Sequence, residues 1–100
     1  MFIVLLKFST NKTQAPNFIE SHNHWIKQGF EDNVFLMVGS VKPGIGGSVL
    51  VHGESREALE KRVNKDPFVI EKIVTAEILE IEPKKVDERL EFLLSDEDGK

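Results

Sequence analysis

A chain of 100 residues with 40% apolar and 30% charged residues has the composition of one soluble globular domain. A net charge of −4, with acids and bases interspersed over most of the length, offers no basic patch for nucleic acid. The absence of cysteine excludes disulfides and thiolate chemistry and predicts a cytoplasmic setting, and no apolar run approaches the length that spans a membrane.

The opening run FIVLLKF (Phe2–Phe8) is β-branched and apolar, and polar STNKTQ follows it at once. It predicts a buried strand rather than a signal peptide. Pro16 suits the first turn of a helix, and the apolar period changes there. Stepping about 100° per residue from Phe18, the residues Gly29, His22, Ile26, Ile19 and Phe30 fall within about 120°, and Trp25 lies just to the other side. Glu20, His24, Lys27 and Gln28 fall opposite. This is an amphipathic helix over about residues 16–30, ended by Asp32-Asn33.

VFLMVG (Val34–Gly39) predicts a second strand, and SVKPGIGG (Ser40–Gly47) a loop rich in glycine and proline. SVLVHG (Ser48–Gly53) is a third strand with Val49 and Val51 on one face, joined to the second as a hairpin with a long loop. ESREALEKRVNK forms a second helix, with Ser55 as N-cap, Ala58, Leu59 and Val63 as its buried face, and Glu57 with Lys61 as an i,i+4 pair. Asp66-Pro67 breaks it, and DPFVIEK is a short turn or helical piece. IVTAEILEIEP (Ile73–Pro83) is a fourth, alternating strand. A short helix through Val86, Leu90, Leu93 and Leu94 follows, and the last six residues are an acidic, frayed end.

The order strand, helix, strand, strand, helix, strand is the split βαβ pattern. It predicts a ferredoxin-like α+β fold over residues 1–83: a four-stranded antiparallel sheet with two helices on one face, and residues 84–100 as a helical and acidic extension. Strands this rich in Val, Ile, Leu and Phe do not leave their second face wet. A homodimer packed sheet against sheet would cover it, with Leu90–Leu94 covering an edge or reaching a partner.

The string H-x-x-W-I-x-x-G-F, from His22 through Trp25, Ile26, Gly29 and Phe30, is followed by VFLMVG, then Gly46-Gly47, GESREAL and DPF. In order and spacing this resembles the YciI-like (YCII-related) family of the dimeric α+β barrel superfamily, over about residues 1 to 83. The resemblance implies a site built on a His–Asp pair, matching His22 (not His24) and the Asp66 of DPF. It also implies an association with dehydrochlorinase-type elimination in aromatic degradation, although most members have no assigned function. Two departures stand out. Many members have Gly-Pro where this chain has Gly39-Ser40. Close relatives carry an arginine in the following loop, where Lys42-Pro43-Gly44-Ile45 has none. Lys42 then stands in for it on an anionic substrate, or the substrate differs.

Two histidines at i and i+2 of a helix point about 200° apart, so His22 and His24 do not chelate one ion together. No ligand-spacing motif appears elsewhere, and neither metal nor cofactor is expected. His22, within an apolar stripe, needs a hydrogen-bond partner. Either it bonds a backbone carbonyl as a plain core histidine, or Asp66 orients it as a general base. Asp66 before proline also reads as a cap of a short helix. Ser40 is a hydroxyl donor or a turn serine, and Gly46-Gly47 offer N–H groups to an anion or serve turn geometry. Trp25 is pocket wall or core. The leading functional expectation is a cofactor-independent, lyase- or hydrolase-like enzyme acting on a small aromatic or anionic compound. His22 and Asp66 would be catalytic, with Ser40, Lys42, Gly46, Gly47 and Trp25 as substrate contacts. A non-catalytic ligand-binding or accessory module is the alternative, and a protein-interaction role for the carboxy-terminal segment is a third.

Overall fold

In a computed structural model, which describes residues 1–94, the strands are β1 (Phe2–Phe8), β2 (Phe35–Val41), β3 (Gly46–Val51) and β4 (Val74–Glu80). The helices are α1 (Ala15–Glu31), α2 (Arg56–Val63) and the single turn α3 (Pro67–Ile70). The strands form one antiparallel sheet in the order β2-β3-β1-β4, which is the ferredoxin-like arrangement. Strand alternation sends Phe2, Val4, Leu6, Val49, Val51 and Val74 to one face, where they meet Trp25 of α1, Leu59 and Val63 of α2, and Phe68 of α3. Val4, Val49, Val51 and Leu59 are at most 1% exposed, so this layer is the hydrophobic core. Ile3, Leu5, Leu50, Met37 and Leu79 share the other face, away from the helices. Among the described residues no helix is long and apolar enough to cross a membrane.

The helix α1 is set by its ends and by one glycine. A short 3₁₀ turn at Lys12–Gln14 leads into it, and Pro16 lies in its first turn, where a missing N–H costs nothing. At the other end Asn33 takes the left-handed conformation (φ 62°), which asparagine tolerates better than most residues. The Val34 N–H then turns back to the Gly29 carbonyl at 3.1 Å. Gly29 is buried against the Phe35 ring, and a Cβ there would run into that ring. Glycine lets α1 lie directly on β2.

Local expectations are corrected at three places. The hairpin loop is short: β2 continues to Val41 and β3 begins at Gly46, so only residues 42–45 turn, closed by Ile45 N–H to the Val41 carbonyl at 3.0 Å. The flanking Ser40 and Gly46-Gly47 carry turn-favouring chemistry, but ladder pairing on both sides of β3 overrides it. On α2, Ser55 caps as expected, accepting from Ala58 N–H at 3.1 Å, but Ala58 itself is exposed. The i,i+4 pair that forms there is Arg56 with Glu60 (3.1 Å), not Glu57 with Lys61. Beyond β4, residues Glu88–Leu94 form 3₁₀ turns broken at Leu90 (φ −115°, ψ 19°) rather than a helix through Val86. Asp87 sets the tighter geometry, since its carbonyl takes the Leu90 N–H three residues on (2.8 Å) while its carboxylate takes the Arg89 N–H (2.9 Å). So short a run has no helical stability of its own. Leu93 is nevertheless buried, and the Phe92 ring meets His52 edge-on at 5.5 Å. The expected acidic end lies outside the described residues.

Candidate active site

Asp66 and His22 come from elements that pack against each other, α3 and α1. Asp66 is the N-cap of α3, in extended backbone (φ −64°, ψ 123°), with Pro67 opening the turn behind it. Its Oδ1 accepts the Phe68 N–H at 3.0 Å, and the same oxygen lies 2.7 Å from Nδ1 of His22. The cap and the histidine partner are thus one residue. A carboxylate oxygen that already accepts from Phe68 is the acceptor for His22 as well, which places the imidazole hydrogen on Nδ1 and leaves Nε2 as the free edge. Asp66 has a side-chain exposure of 0% and His22 of 12%. The other carboxylate oxygen, Oδ2, is buried and accepts no hydrogen bond among the described residues.

Aromatic rings fix the imidazole. Phe68 stacks on it at 3.9 Å and 3°, and Trp25 lies nearly parallel at 5.9 Å and 21°. Trp25 is itself held, its indole N–H donating to the Arg62 carbonyl at 2.9 Å and its ring meeting Phe35 edge-on. Arg62 grips Glu54 through two hydrogen bonds (2.9 and 3.0 Å) and Asp32 through one (2.9 Å). The bond to Glu54 raises the guanidinium pKa further, and the bond from Arg62 lowers the Asp32 carboxyl below its ordinary value. The last turn of α1 and the body of α2 are tied behind the site.

In front of His22 lies a cavity of about 360 Å³ between the helices and the sheet. Leu6, Phe8, Val38 and Val74 of the sheet, Ile19 of α1 and Phe68 of α3 give it apolar walls. His22, Asn23 and Ser40 supply its polar side chains, and the Asn23 amide and Ser40 hydroxyl make no hydrogen bond within the described residues. The size falls in the range of about 300–1,000 Å³ usual for small-molecule sites.

The sequence-predicted residues therefore separate. His22, Ser40, Gly46 and Gly47 line the cavity, while Asp66 and Trp25 stand behind the imidazole rather than on the wall. Lys42 is exposed on the β2–β3 turn and does not line it. Gly46 and Gly47 lie in a central strand with ladder partners on both sides, so they offer room more than N–H donors. A Cβ at Gly46, whose φ is 151°, would run into the Leu6 carbonyl oxygen. Sequence reasoning missed Asn23. Its position at about 140° on the helical projection, bordering the apolar stripe, was the available signal. His24 is exposed, and among the described residues no three His, Cys, Asp or Glu side chains lie where they could hold a metal ion.

No family model matches the sequence, and no curated protein matches it. The fold is similar to that of the 5-chloro-2-hydroxyhydroquinone dehydrochlorinase (TftG) from Burkholderia phenoliruptrix, solved in complex with 2,5-dihydroxybenzoquinone. The TM-score is 0.65 at 12% sequence identity, covering 81% of this chain and 93% of that chain. At that identity the likeness establishes the fold.

Proposed function

We propose that the cavity is the active site of a YciI-like enzyme that takes a proton from a small, planar, hydroxylated substrate and expels an anionic leaving group. His22 is the general base and Asp66 its orienting partner. Asp66 carries this reading. A fully buried carboxylate with one oxygen shared by two donors and the other accepting none among the described residues is a poor stabilising device, since burying unsatisfied polar groups is costly. It is, however, what fixes an imidazole tautomer and aims Nε2 at a substrate. The apolar walls suit a single ring, and Asn23 and Ser40 suit its oxygen substituents. In the step envisaged, the proton moves to Nε2, the electron pair of the broken bond enters the ring, and the leaving group departs with the pair of its own bond. Electrons balance without an external oxidant or reductant. The similar fold of a dehydrochlorinase that binds a dihydroxybenzoquinone supports this reaction class. The apolar second sheet face, with Ile3, Leu5, Leu50 and Met37, supports a homodimer packed sheet to sheet.

The test is chloride release from 5-chloro-2-hydroxyhydroquinone. The expected result is release above the buffer rate, reduced about 10²- to 10⁴-fold in His22→Ala. Binding of 2,5-dihydroxybenzoquinone without any chloride release would favour a ligand-binding module instead, and release that survives His22→Ala would remove His22 from the chemistry.

A further inference from the structure

Among the described residues, none lining the cavity is a lysine or arginine, and Asp66 places a carboxylate behind it. An anionic ligand therefore needs a cation from outside the lining set. Lys12 is placed to provide one: its Nζ sits 5.0 Å from the centroid of the Phe8 ring, and Phe8 is part of the cavity wall. Contact with a ring face turns at most part of the three ammonium donors toward the ring and gives them no oxygen acceptor, so donors remain available to an oxyanion. Lys12 also has no carboxylate within ion-pair distance among the described residues, whereas Lys7 has Glu77 and Lys84 has Glu82.

The position is built rather than incidental. Ser9 N–H bonds the Ile73 carbonyl at 2.8 Å, and the Asn11 side-chain amide bonds the Glu71 carbonyl at 2.8 Å. Lys12 N–H closes the turn on Ser9 at 3.2 Å, and Phe8 N–H is fixed to the Ile45 carbonyl at 2.9 Å. Both the ring and the base of the lysine are thereby anchored to other parts of the chain.

We infer that Lys12 is the charge-selecting residue of the cavity, favouring ring compounds with a phenolate- or enolate-type oxyanion seated beside Phe8. This rests on the proposed reading of the cavity as a small-ring site. The experiment compares two probes by titration calorimetry, 2,5-dihydroxybenzoquinone, whose hydroxyls are acidic, and uncharged hydroquinone under anaerobic conditions. Binding at the cavity is checked by the His22 ring resonances. Lys12→Met should weaken 2,5-dihydroxybenzoquinone binding by about ten- to a hundredfold, the scale of one lost charge-assisted hydrogen bond. It should also flatten the salt dependence and change hydroquinone binding less than about twofold. Lys12→Arg should retain the preference. If the probes bind and Lys12→Met weakens both alike or neither, the assignment of Lys12 falls alone. If neither probe moves the His22 resonances in the unmodified protein, the small-ring reading falls and the assignment with it.

Discussion

Replacing Asp66 with alanine removes a single acceptor that serves two donors. The Phe68 N–H, bonded at 3.0 Å in a buried place, loses its cap, which costs about 1–2 kcal/mol. The His22 Nδ1–H, bonded at 2.7 Å on a ring only 12% exposed, loses its partner at about 1–2 kcal/mol. Relief from burying the unsatisfied Oδ2 offsets part of this, leaving a net loss of about 1–3 kcal/mol. A domain of this size is stable by about 5–15 kcal/mol, so Asp66→Ala should still fold at room temperature. Asp66→Asn keeps an oxygen for Phe68 and should lose no more than about 1 kcal/mol while losing turnover. Urea unfolding followed by circular dichroism reads these differences. Because His22 and Asp66 share one bond, His22→Ala should cost less in the Asp66→Ala background than alone, with a coupling of about 1–3 kcal/mol. Strictly additive losses, or an Asp66→Ala protein within about 0.5 kcal/mol of the parent, would refute the shared-acceptor reasoning.

Other consequences are equally checkable. Gly29→Ala should lower the thermal midpoint, because crowding the Phe35 ring costs about 1–3 kcal/mol against a helix-propensity gain of about 1 kcal/mol; a raised midpoint would contradict the packing described. The hydrogen bond from Arg62 holds Asp32 below its ordinary pKa. The contribution of Asp32 to stability is therefore fully present above the ordinary aspartate range and lost as pH falls through the lowered value. Urea midpoints of Asp32→Asn and the parent should differ at neutral pH and converge in acid. If the open sheet face is a dimer interface, Leu50→Lys at its centre should give a monomer by analytical ultracentrifugation, while an unchanged sedimentation coefficient would place any interface elsewhere.

Sequence patterning reached the fold because the apolar period switches cleanly. The continuous apolar run Phe2–Phe8 and the alternation around Val49 and Val51 gave the sheet, and the stripe through His22 and Gly29 gave α1. The same helical step separated His22 from exposed His24. Strand ends were less legible, because Ser40, Gly46 and Gly47 carry turn chemistry yet pair in the ladder, an effect of distant partners. The His22–Asp66 contact spans 44 residues and has no local signature; only the family resemblance pointed to it. Lys42 came from the loop arginine of the resembling family, whereas the place of Lys12 beside Phe8, next to an Asn11 that bonds residue 71, has no local signature. Trp25 was legible as an aromatic near the site, but its hydrogen bond to the Arg62 carbonyl turns it into a support for the imidazole rather than a wall.

Long-range proton–nitrogen NMR of the His22 ring, recorded with and without 2,5-dihydroxybenzoquinone, tests most directly whether Asp66 holds a base facing the cavity. The expected result is a ring hydrogen on Nδ1, with an Nε2 signal that shifts when the quinone is added, and loss of that preference in Asp66→Ala. A ring protonated on Nε2, or an Nε2 signal indifferent to the quinone, would contradict it.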